Sequence, residues 1–381
     1  MAPANLPDPI FIARPAALQR LADELRREAI IAVDTESNSL YVYYERVCLI
    51  QFSTPRQDYL VDPLALQDLS PLRPIFASQE IEKVFHAAEY DVICLKRDFQ
   101  FSFNRLFDTM IAARILGHNS LGLGSILKAE FGVQVDKRHQ RANWGERPLP
   151  PHLMAYAQLD THYLIHIRQR LYRELVSKSL WPLAFEDFKR LEKANGIANR
   201  RTNDKNNEFW RINGASELDP TAAAVLRELC LYREQAARQA NLPLFKIIGD
   251  KTLLAIAARL PREAEELARI AGMSALQMKR HGAALLAAIQ RGLNSPPLYP
   301  PRQRRPDESY LGRLEALKEW RKRTARKMGV NSDVVLPRDI LHTIAEENPR
   351  HAYHLGEIMQ EVPWRLANFG DEILYLLKRI D

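Results

Sequence analysis

The chain has 381 residues, of which 46% are hydrophobic, enough apolar material for packed cores in two or three domains. It carries 54 Lys and Arg against 47 Asp and Glu, a net charge of +7, and only three cysteines. This composition excludes a disordered chain and a disulfide-rich secreted module. No apolar run is long enough to span a membrane, so we expect no membrane association and a cytoplasmic protein with reduced thiols.

The first element that bears on chemistry is a predicted strand around residues 30–36. Its apolar, β-branched start is followed by Asp34 and Glu36 at positions i and i+2, which share one face of the strand while Thr35 lies on the other. The other predicted elements of this half, in chain order, are strands at 47–53, 58–62 and 82–86, an amphipathic segment from Leu64 to Ala77, and helices at 109–116, 121–131 and 152–177.

Two further acidic residues lie in predicted helices, one at the start of a helix and the other inside one. Asp91 follows the strand at 82–86 and opens a helix. Asp160 lies in the helix at 152–177, one turn after Tyr156, so the two side chains share a helix face. Taken singly, Asp91 is typical of a helix N-cap and the Tyr156–Asp160 pair of a solvated helix face. One strand and two helices can nevertheless bring all four carboxylates to one point.

Four converging carboxylates are what hydrolysis of a phosphodiester by two divalent cations requires. The cations generate a hydroxide near neutral pH and stabilise the leaving oxygen. Hard cations such as Mg²⁺ and Mn²⁺ prefer oxygen ligands, and no cysteine or histidine pair here has the spacing of a zinc site. Tyr156 is a poor base because phenols ionise at a pKa of about 10. We expect it to orient the attacking water.

The motifs resemble the DEDD superfamily of 3′→5′ exonucleases, in its tyrosine-bearing branch, and among these ribonuclease D. The residues that carry the resemblance are 33–36, 85–91, 107–116, 121–123, 136–144, 147–149 and 156–160. The resemblance implies an α/β ribonuclease-H-like domain with a mixed sheet, and release of nucleoside 5′-monophosphates. It also implies that Asp34 bridges two metals, Glu36 and Asp160 ligate the metal holding the water, and Asp91 serves the other.

The polar stretch at 137–147 precedes the last motif and holds an embedded tryptophan. Lys137, Arg138 and Arg141 can contact a phosphate backbone, and Trp144 can stack on a base. The alternative is an ordinary connecting loop whose tryptophan anchors it to the core. We name these four residues as candidate nucleic-acid contacts.

Beyond a predicted linker at 196–207, the sequence is helical throughout. A second linker at 294–306 holds five prolines, and a weaker copy of the preceding helical pattern follows it. Both copies resemble the helicase-and-ribonuclease-D C-terminal (HRDC) domain, a small all-α bundle. We predict an exonuclease domain at 1–205, a first HRDC-like domain at 213–293 and a second at 308–381. Residues 301–330 hold ten Lys or Arg against four Asp or Glu, and the candidate phosphate contacts there are Arg321, Arg323 and Lys327.

These patterns together predict a 3′→5′ exoribonuclease that uses two Mg²⁺ or Mn²⁺ ions. The resemblance suggests that it trims structured RNA such as tRNA precursors, as a monomer. A DNA-directed exonuclease of the same superfamily is one alternative, because the sequence does not expose the contacts that read a 2′-hydroxyl. A non-catalytic nucleic-acid-binding protein is the other, although all four acidic positions are intact.

Overall fold

A computed structural model describes residues 6–195, 208–301 and 307–380. Its sheet has six strands in the order β1-β4-β3-β2-β5-β6. The pairs β4–β3 and β3–β2 are antiparallel and the other three are parallel, which confirms the predicted mixed sheet. The strands are β1 (Ile10–Ile12), β2 (Ile30–Ser37), β3 (Val47–Ser53), β4 (Asp58–Val61), β5 (Glu82–Phe85) and β6 (Leu106–Asp108).

Helices cover the sheet because both of its faces are apolar. One face packs in a core with Leu21, Phe52 and Phe76, and the other in cores that contain Leu60, Phe107 and Leu171. The helices of this region are α1 (Pro15–Leu25), α2 (Arg73–Ala77), α3 (Glu89–Phe99), α4 (Thr109–Ile115), α5 (Leu123–Phe131), α6 (Pro151–His162), α7 (Leu164–Ser177) and α8 (Trp181–Glu192).

Two predicted elements differ from what the structure contains. The amphipathic segment from Leu64 to Ala77 is helical only at its end, as a 3₁₀ turn and α2, because Pro71 and Pro74 lack the N–H groups that a continuous helix needs. The single helix predicted at 152–177 is two helices, α6 and α7, separated at Tyr163.

The later helices are α9 (Pro220–Ala240), α10 (Leu244–Ile247), α11 (Asp250–Arg259), α12 (Ala264–Ala268), α13 (Ala275–Leu293), α14 (Glu308–Met328), α15 (Ser332–Val335), α16 (Arg338–Glu347), α17 (Ala352–Ile358) and α18 (Pro363–Lys378). The chain divides into two compact units. One contains the described residues of 1–37, 47–196 and 305–381, and the other those of 38–46 and 197–304. The predicted linker at 196–207, its boundary at 205 and residues 302–306 lie outside the described residues.

The second unit is an all-α bundle built on α9 and α13. Pro220 starts α9, and the Asp219 side chain caps it by accepting from the Thr221 N–H at 2.9 Å. The two helices approach closely at Gly292, where a Cβ would lie 2.4 Å from the Val225 Cα, so only glycine fits. Residues 38–46 belong to this bundle, since the Tyr44 N–H donates to Asn241 Oδ1 at 3.1 Å.

The first unit joins the six-stranded sheet to the C-terminal helices through a buried arginine. Arg365, at the start of α18, is fully buried, and its guanidinium lies 2.8 Å from Glu186 and 3.0 Å from Asp187, both on α8. The same guanidinium donates to the Val334 carbonyl at 2.8 Å. Val334 is itself part of the apolar core that contains α4, α7 and α8. The C-terminal helices and the helices that cover the sheet therefore share one core.

The two helical regions repeat one structural detail, as the predicted duplication requires. In α9, Arg233 donates to the Ile248 carbonyl at 3.0 Å, and in α14, Arg321 donates to the Leu336 carbonyl at 3.1 Å. Each acceptor is the residue directly after a four-residue helix, α10 or α15. No helix of the described residues is both long and apolar enough to cross a lipid bilayer.

Candidate active site

Strand β2 carries Asp34 and Glu36, the first two acids of the predicted site, near the end where its pairing register with β3 shifts. Asp34 is paired with Gln51 and Glu36 with Leu49 on β3, and a register shift follows between Glu36 and Ser37. Thr35, on the opposite face, donates its hydroxyl to the carboxylate of Asp91. This hydrogen bond ties β2 to α3 at the site.

The side chain of Asp108 orients helix α3. The Asp108 carboxylate accepts from the Ala88 N–H at 2.7 Å, one residue before α3 begins, and from the Met110 and Ile111 N–H groups at 2.8 and 2.9 Å. One buried side chain thus fixes the starts of both α3 and α4. Asp91, in the first turn of α3, is 7% exposed. Asp108 is thus the N-cap residue of α4.

Helix α6, which carries Tyr156 and Asp160, is fixed to the sheet by a buried polar network. Asp58 accepts from Gln158 Nε2 at 2.7 Å and lies 2.8 Å from His162 Nδ1. These two residues flank Asp160 at two positions on either side. The Ser53 hydroxyl donates to Asp58 at 2.6 Å, and it lies 2.7 Å from the Thr161 hydroxyl. The network sets the rotation of α6 about its axis, and with it the direction of Asp160.

Burial raises the pKa values of all four acids, and repulsion from neighbouring acids adds to each shift. Asp34 and Glu36 have pKa values well above their ordinary range, because of burial first and then the negative charges of the other acids. Burial, with a smaller repulsion from Asp91, raises the pKa of Asp160 to about 8. Burial likewise raises the pKa of Asp91 to about 7, although the hydrogen bond from Thr35 opposes the shift. The structure therefore brings the four acids into one electrostatically coupled cluster.

The donor set of this cluster fits a hard divalent cation. The four carboxylates offer only oxygen, and the leading causes of their pKa shifts include no cationic side chain. Across the part of the chain that the structure describes, no group of three or more His, Cys, Asp or Glu side chains is arranged so that it could hold a metal ion. The backbones of β2, α3 and α6 nevertheless bring the four acids close enough for electrostatic coupling. The final spacing of like-charged side chains depends on a cation between them.

Tyr156 lies at the inner wall of the site. It is 5% exposed, and burial together with the neighbouring carboxylates raises its pKa well above the ordinary value, against a hydrogen bond with Gln140. The rings of His139 and Trp144 lie 5.5 and 6.0 Å from the Tyr156 ring. The polar stretch at 137–147 therefore contacts the wall of the site through His139 and Trp144.

Arg147 anchors that stretch in a way the sequence did not indicate. Its guanidinium makes two hydrogen bonds to Asp62, at 2.7 and 2.8 Å, and donates to the carbonyls of Cys48 and Trp144 at 2.7 and 2.8 Å. These contacts pin the end of the loop to β3 and to the residue following β4. In the sequence, Arg147 stood out only as a basic residue before a proline, and this pattern did not identify Asp62 as its partner.

The candidate nucleic-acid contacts fall into two groups. Lys137, Arg141, Arg323 and Lys327 are exposed, and so is Arg138, although it pairs with Asp136 at 2.6 Å. Trp144 is 1% exposed and packs beside Tyr156 in the core, so a face for base stacking is not presented. Arg321 is half-buried and holds the backbone after α15. The structure therefore gives Trp144 and Arg321 packing roles in place of the predicted nucleic-acid contacts.

Comparison with known proteins places this site in a family. The 3′-5′ exonuclease family profile matches residues 9–176, and the HRDC domain profile matches residues 222–289 and 311–377. Ribonuclease D of Gluconacetobacter diazotrophicus is 30% identical over 308 residues, covering 80% of this chain and 77% of that protein. Ribonuclease D of Pseudomonas paraeruginosa is 28% identical over 380 residues, covering 98% of both. Protein RRP6-like 3 of Arabidopsis thaliana is 32% identical over 284 residues, which are 68% of this chain but 31% of that protein.

Among solved structures, Escherichia coli RNase D, described as an exoribonuclease involved in structured RNA processing, superposes with a TM-score of 0.72. The match has 24% sequence identity and covers 98% of this chain and 99% of that one, so the fold is shared over the whole length. Fold and profile matches define a 3′→5′ exonuclease of the DEDD class followed by HRDC domains, and enzymes of this class use divalent metal ions. The chain belongs to the ribonuclease D family, whose members are 3′→5′ exoribonucleases.

Proposed function

We propose that this protein removes nucleotides from RNA 3′ ends by two-metal hydrolysis at Asp34, Glu36, Asp91 and Asp160. The observation that carries the proposal is the electrostatic coupling of these four acids, which β2, α3 and α6 bring together. Asp91 and Asp160 are buried, and Asp34 and Glu36 are half-buried. Burying four carboxylates together is costly unless cations neutralise them. The clustering of these carboxylates therefore supports a metal-dependent function at this site.

Each acid has a role in the proposal. Asp34 would be a ligand of both of two Mg²⁺ or Mn²⁺ ions, Glu36 and Asp160 would hold the ion that activates the attacking water, and Asp91 would hold the other. When bound, the ions lower the pKa of the attacking water and neutralise charge on the leaving oxygen. Thr35 keeps the Asp91 carboxylate oriented by its hydrogen bond.

Tyr156 acts as a hydrogen-bond donor in this scheme. Because its pKa lies well above the ordinary tyrosine value, the hydroxyl stays protonated at any physiological pH. A protonated hydroxyl cannot serve as a base, but it can orient the attacking water towards the phosphorus atom. Gln140, which hydrogen-bonds Tyr156, keeps that hydroxyl in place.

The substrate in this proposal is structured RNA with a 3′ extension, such as a tRNA precursor. The exposed cations Lys137, Arg138, Arg141, Arg323 and Lys327 suit a phosphate backbone. We further propose that the domain boundaries lie at residues 205, 213, 293 and 308. We also propose that the protein is a monomer and is located in the cytoplasm.

The test uses 5′-labelled RNA and DNA oligomers of one sequence, with Mg²⁺ or Mn²⁺ and with EDTA. Stepwise shortening of RNA from the 3′ end, abolished by EDTA and by Asp34→Asn, is the expected result. The matched control is Asp23→Asn, which alters an exposed carboxylate on α1 and should leave the rate unchanged. Faster degradation of DNA would favour a DNA-directed exonuclease, and full activity of Asp34→Asn would refute the assigned site.

A further inference from the structure

Gln51 is a fully buried amide in the middle of β3, directly beside the candidate active site. It is 0% exposed. The β2–β3 register pairs it with Asp34, and the β3–β4 register pairs it with Leu60. Directly opposed residues of antiparallel strands point to the same face of the sheet, with Cβ atoms about 4.5–5.5 Å apart. The Gln51 side chain therefore lies between Asp34 on one side and Leu60 on the other.

Neither polar atom of this amide has a partner. Nε2 and Oε1 of Gln51 are both buried, and neither makes a hydrogen bond within the part of the chain that the structure describes. Buried polar groups in folded proteins are nearly always hydrogen-bonded, because leaving one unpaired costs about 1–3 kcal/mol. This unpaired amide beside the candidate site therefore has hydrogen-bonding capacity that the resting fold does not use.

Within the sheet, the neighbours of Gln51 offer one polar partner, and helix α6 packs over the same face. Along β3, its neighbours on the same face are Leu49, which is apolar, and Ser53, whose hydroxyl is engaged with Asp58 and Thr161. Across β4 lies Leu60, which is apolar as well. Of the residues adjacent in the sheet on that face, Asp34 is the one that offers carboxylate oxygens. It accepts a hydrogen bond from the Thr35 backbone, which leaves acceptor capacity for the Gln51 amide.

We propose that Gln51 is a positioning residue for Asp34, whose carboxylate accepts a hydrogen bond from the Gln51 amide, directly or through one ordered water, when it holds metal. This inference rests on the proposed function, in which Asp34 bridges the two ions. Hydrogen bonds to ionised groups are about twice as strong as those between neutral groups. The amide then fixes the orientation of the Asp34 carboxylate.

The test replaces the amide without changing the volume of the side chain. Gln51→Met keeps length and burial but removes both polar atoms, and Gln51→Leu is the second variant. Leu60→Met is the matched control, because it alters packing on the other side of Gln51 and removes no polar group. Melting temperature is measured with and without Mn²⁺, and Mn²⁺ affinity is measured by calorimetry. Metal-dependent hydrolysis of a short RNA is measured as kcat and KM.

If Gln51 positions Asp34, Gln51→Met melts at the same or a higher temperature without metal, since an unpaired buried amide has gone. Its Mn²⁺ dissociation constant rises about tenfold, equivalent to about 1.4 kcal/mol. At saturating Mn²⁺, kcat falls while the KM for RNA stays unchanged. Leu60→Met keeps the wild-type metal affinity. A merely structural amide would change stability and leave the Mn²⁺ affinity alone.

Wild-type Mn²⁺ affinity in both Gln51 variants overturns the inference, and so does failure of both to fold, since the amide would then be a requirement of the sheet. The proposed function fails separately. If the wild-type protein gains no thermal stability from Mn²⁺ and cleaves no RNA, the metal site itself is wrong. If the wild type responds to Mn²⁺ and the Gln51 variants respond equally, only the positioning role is wrong.

Discussion

The metal-free protein should lose stability as the pH rises from 5 to 8, which is the reverse of ordinary acid denaturation. The pKa of Asp160 is raised to about 8 in the fold, whereas an aspartate in an unfolded chain has a pKa of about 3.9. Between these values the folded form keeps a proton that the unfolded chain releases. The stabilisation is therefore complete at low pH and is lost as the pH rises through the folded pKa.

The size of the effect follows from the linkage between protons and folding. One carboxyl that is protonated in the fold and ionised in the unfolded chain changes the free energy of unfolding by about 1.4 kcal/mol per pH unit. Between pH 5 and 7, Asp160 alone accounts for about 3 kcal/mol. Asp91, with a pKa raised to about 7, acts in the same direction, but the two are coupled and their effects do not simply add. A loss of about 3 kcal/mol lowers the melting temperature by roughly 6–12 °C.

The assay is thermal melting in EDTA at several pH values, for the wild type, Asp160→Asn and the exposed control Asp23→Asn. Asparagine resembles the protonated acid at every pH, so Asp160→Asn should melt higher than the wild type at pH 8 and show a shallower fall. The control keeps all histidines and other titrating groups, so its curve should follow the wild type. Mg²⁺ should restore the wild type at pH 8 but not Asp160→Asn. A flat or rising wild-type curve between pH 5 and 7, or identical slopes for the wild type and Asp160→Asn, would refute the reasoning.

Three further predictions concern single contacts. Arg365→Met should destabilise the first unit by about 3–5 kcal/mol, because two carboxylates of α8 lose their buried cation, whereas the exposed control Arg379→Met should melt like the wild type. Chemical denaturation checks this, and equal stability of the two variants would contradict it. Tyr156→Phe should fold normally and lose about 100-fold in kcat with little change in KM, measured on a short RNA; an unchanged kcat would remove Tyr156 from the mechanism. Replacing both Arg323 and Lys327 by Gln should make the log Kd–log salt slope for single-stranded RNA shallower by about 1.4, measured by fluorescence anisotropy; an unchanged slope would mean that these side chains do not meet phosphate.

The parts of the fold that could be predicted are those with strong local patterns. β2, β3 and β5 are short apolar runs with β-branched or aromatic side chains, and their positions were predicted within a residue or two. β1 and β6 were not predicted, because strands of three residues are too short to show alternation. Their existence depends on pairing with β4 and β5, which no local pattern reports.

The candidate site likewise has a part that residue spacing predicts and a part that it does not. Asp34 and Glu36 share a strand face, and Tyr156 and Asp160 share a helix face, because residue spacing alone fixes these relations. What holds α6 and the loop at 137–147 in place could not be read from spacing. Asp58 meets His162, and Asp62 meets Arg147, across long stretches of chain.

Two further residues show why composition misleads at single positions. Trp144 and Arg321 were predicted to face nucleic acid because they lie in basic stretches, yet one is packed beside Tyr156 and the other holds a backbone carbonyl. Net charge in a segment gives no information about which of its side chains points inward. Only the packing of neighbouring elements decides that.

The pairing of Arg365 with α8 has a consequence for synthesis on the ribosome. Glu186 and Asp187 leave the ribosome well before Arg365, and at typical elongation rates the delay is on the order of 10–40 s. During that interval both carboxylates remain hydrated, and the apolar side chains that will pack on Val334 and Trp364 stay uncovered. A nascent nuclease region therefore completes its core only after Arg365 has been synthesised. Transcripts truncated before this point would yield a chain with exposed apolar surface, suited to capture by chaperones and proteases.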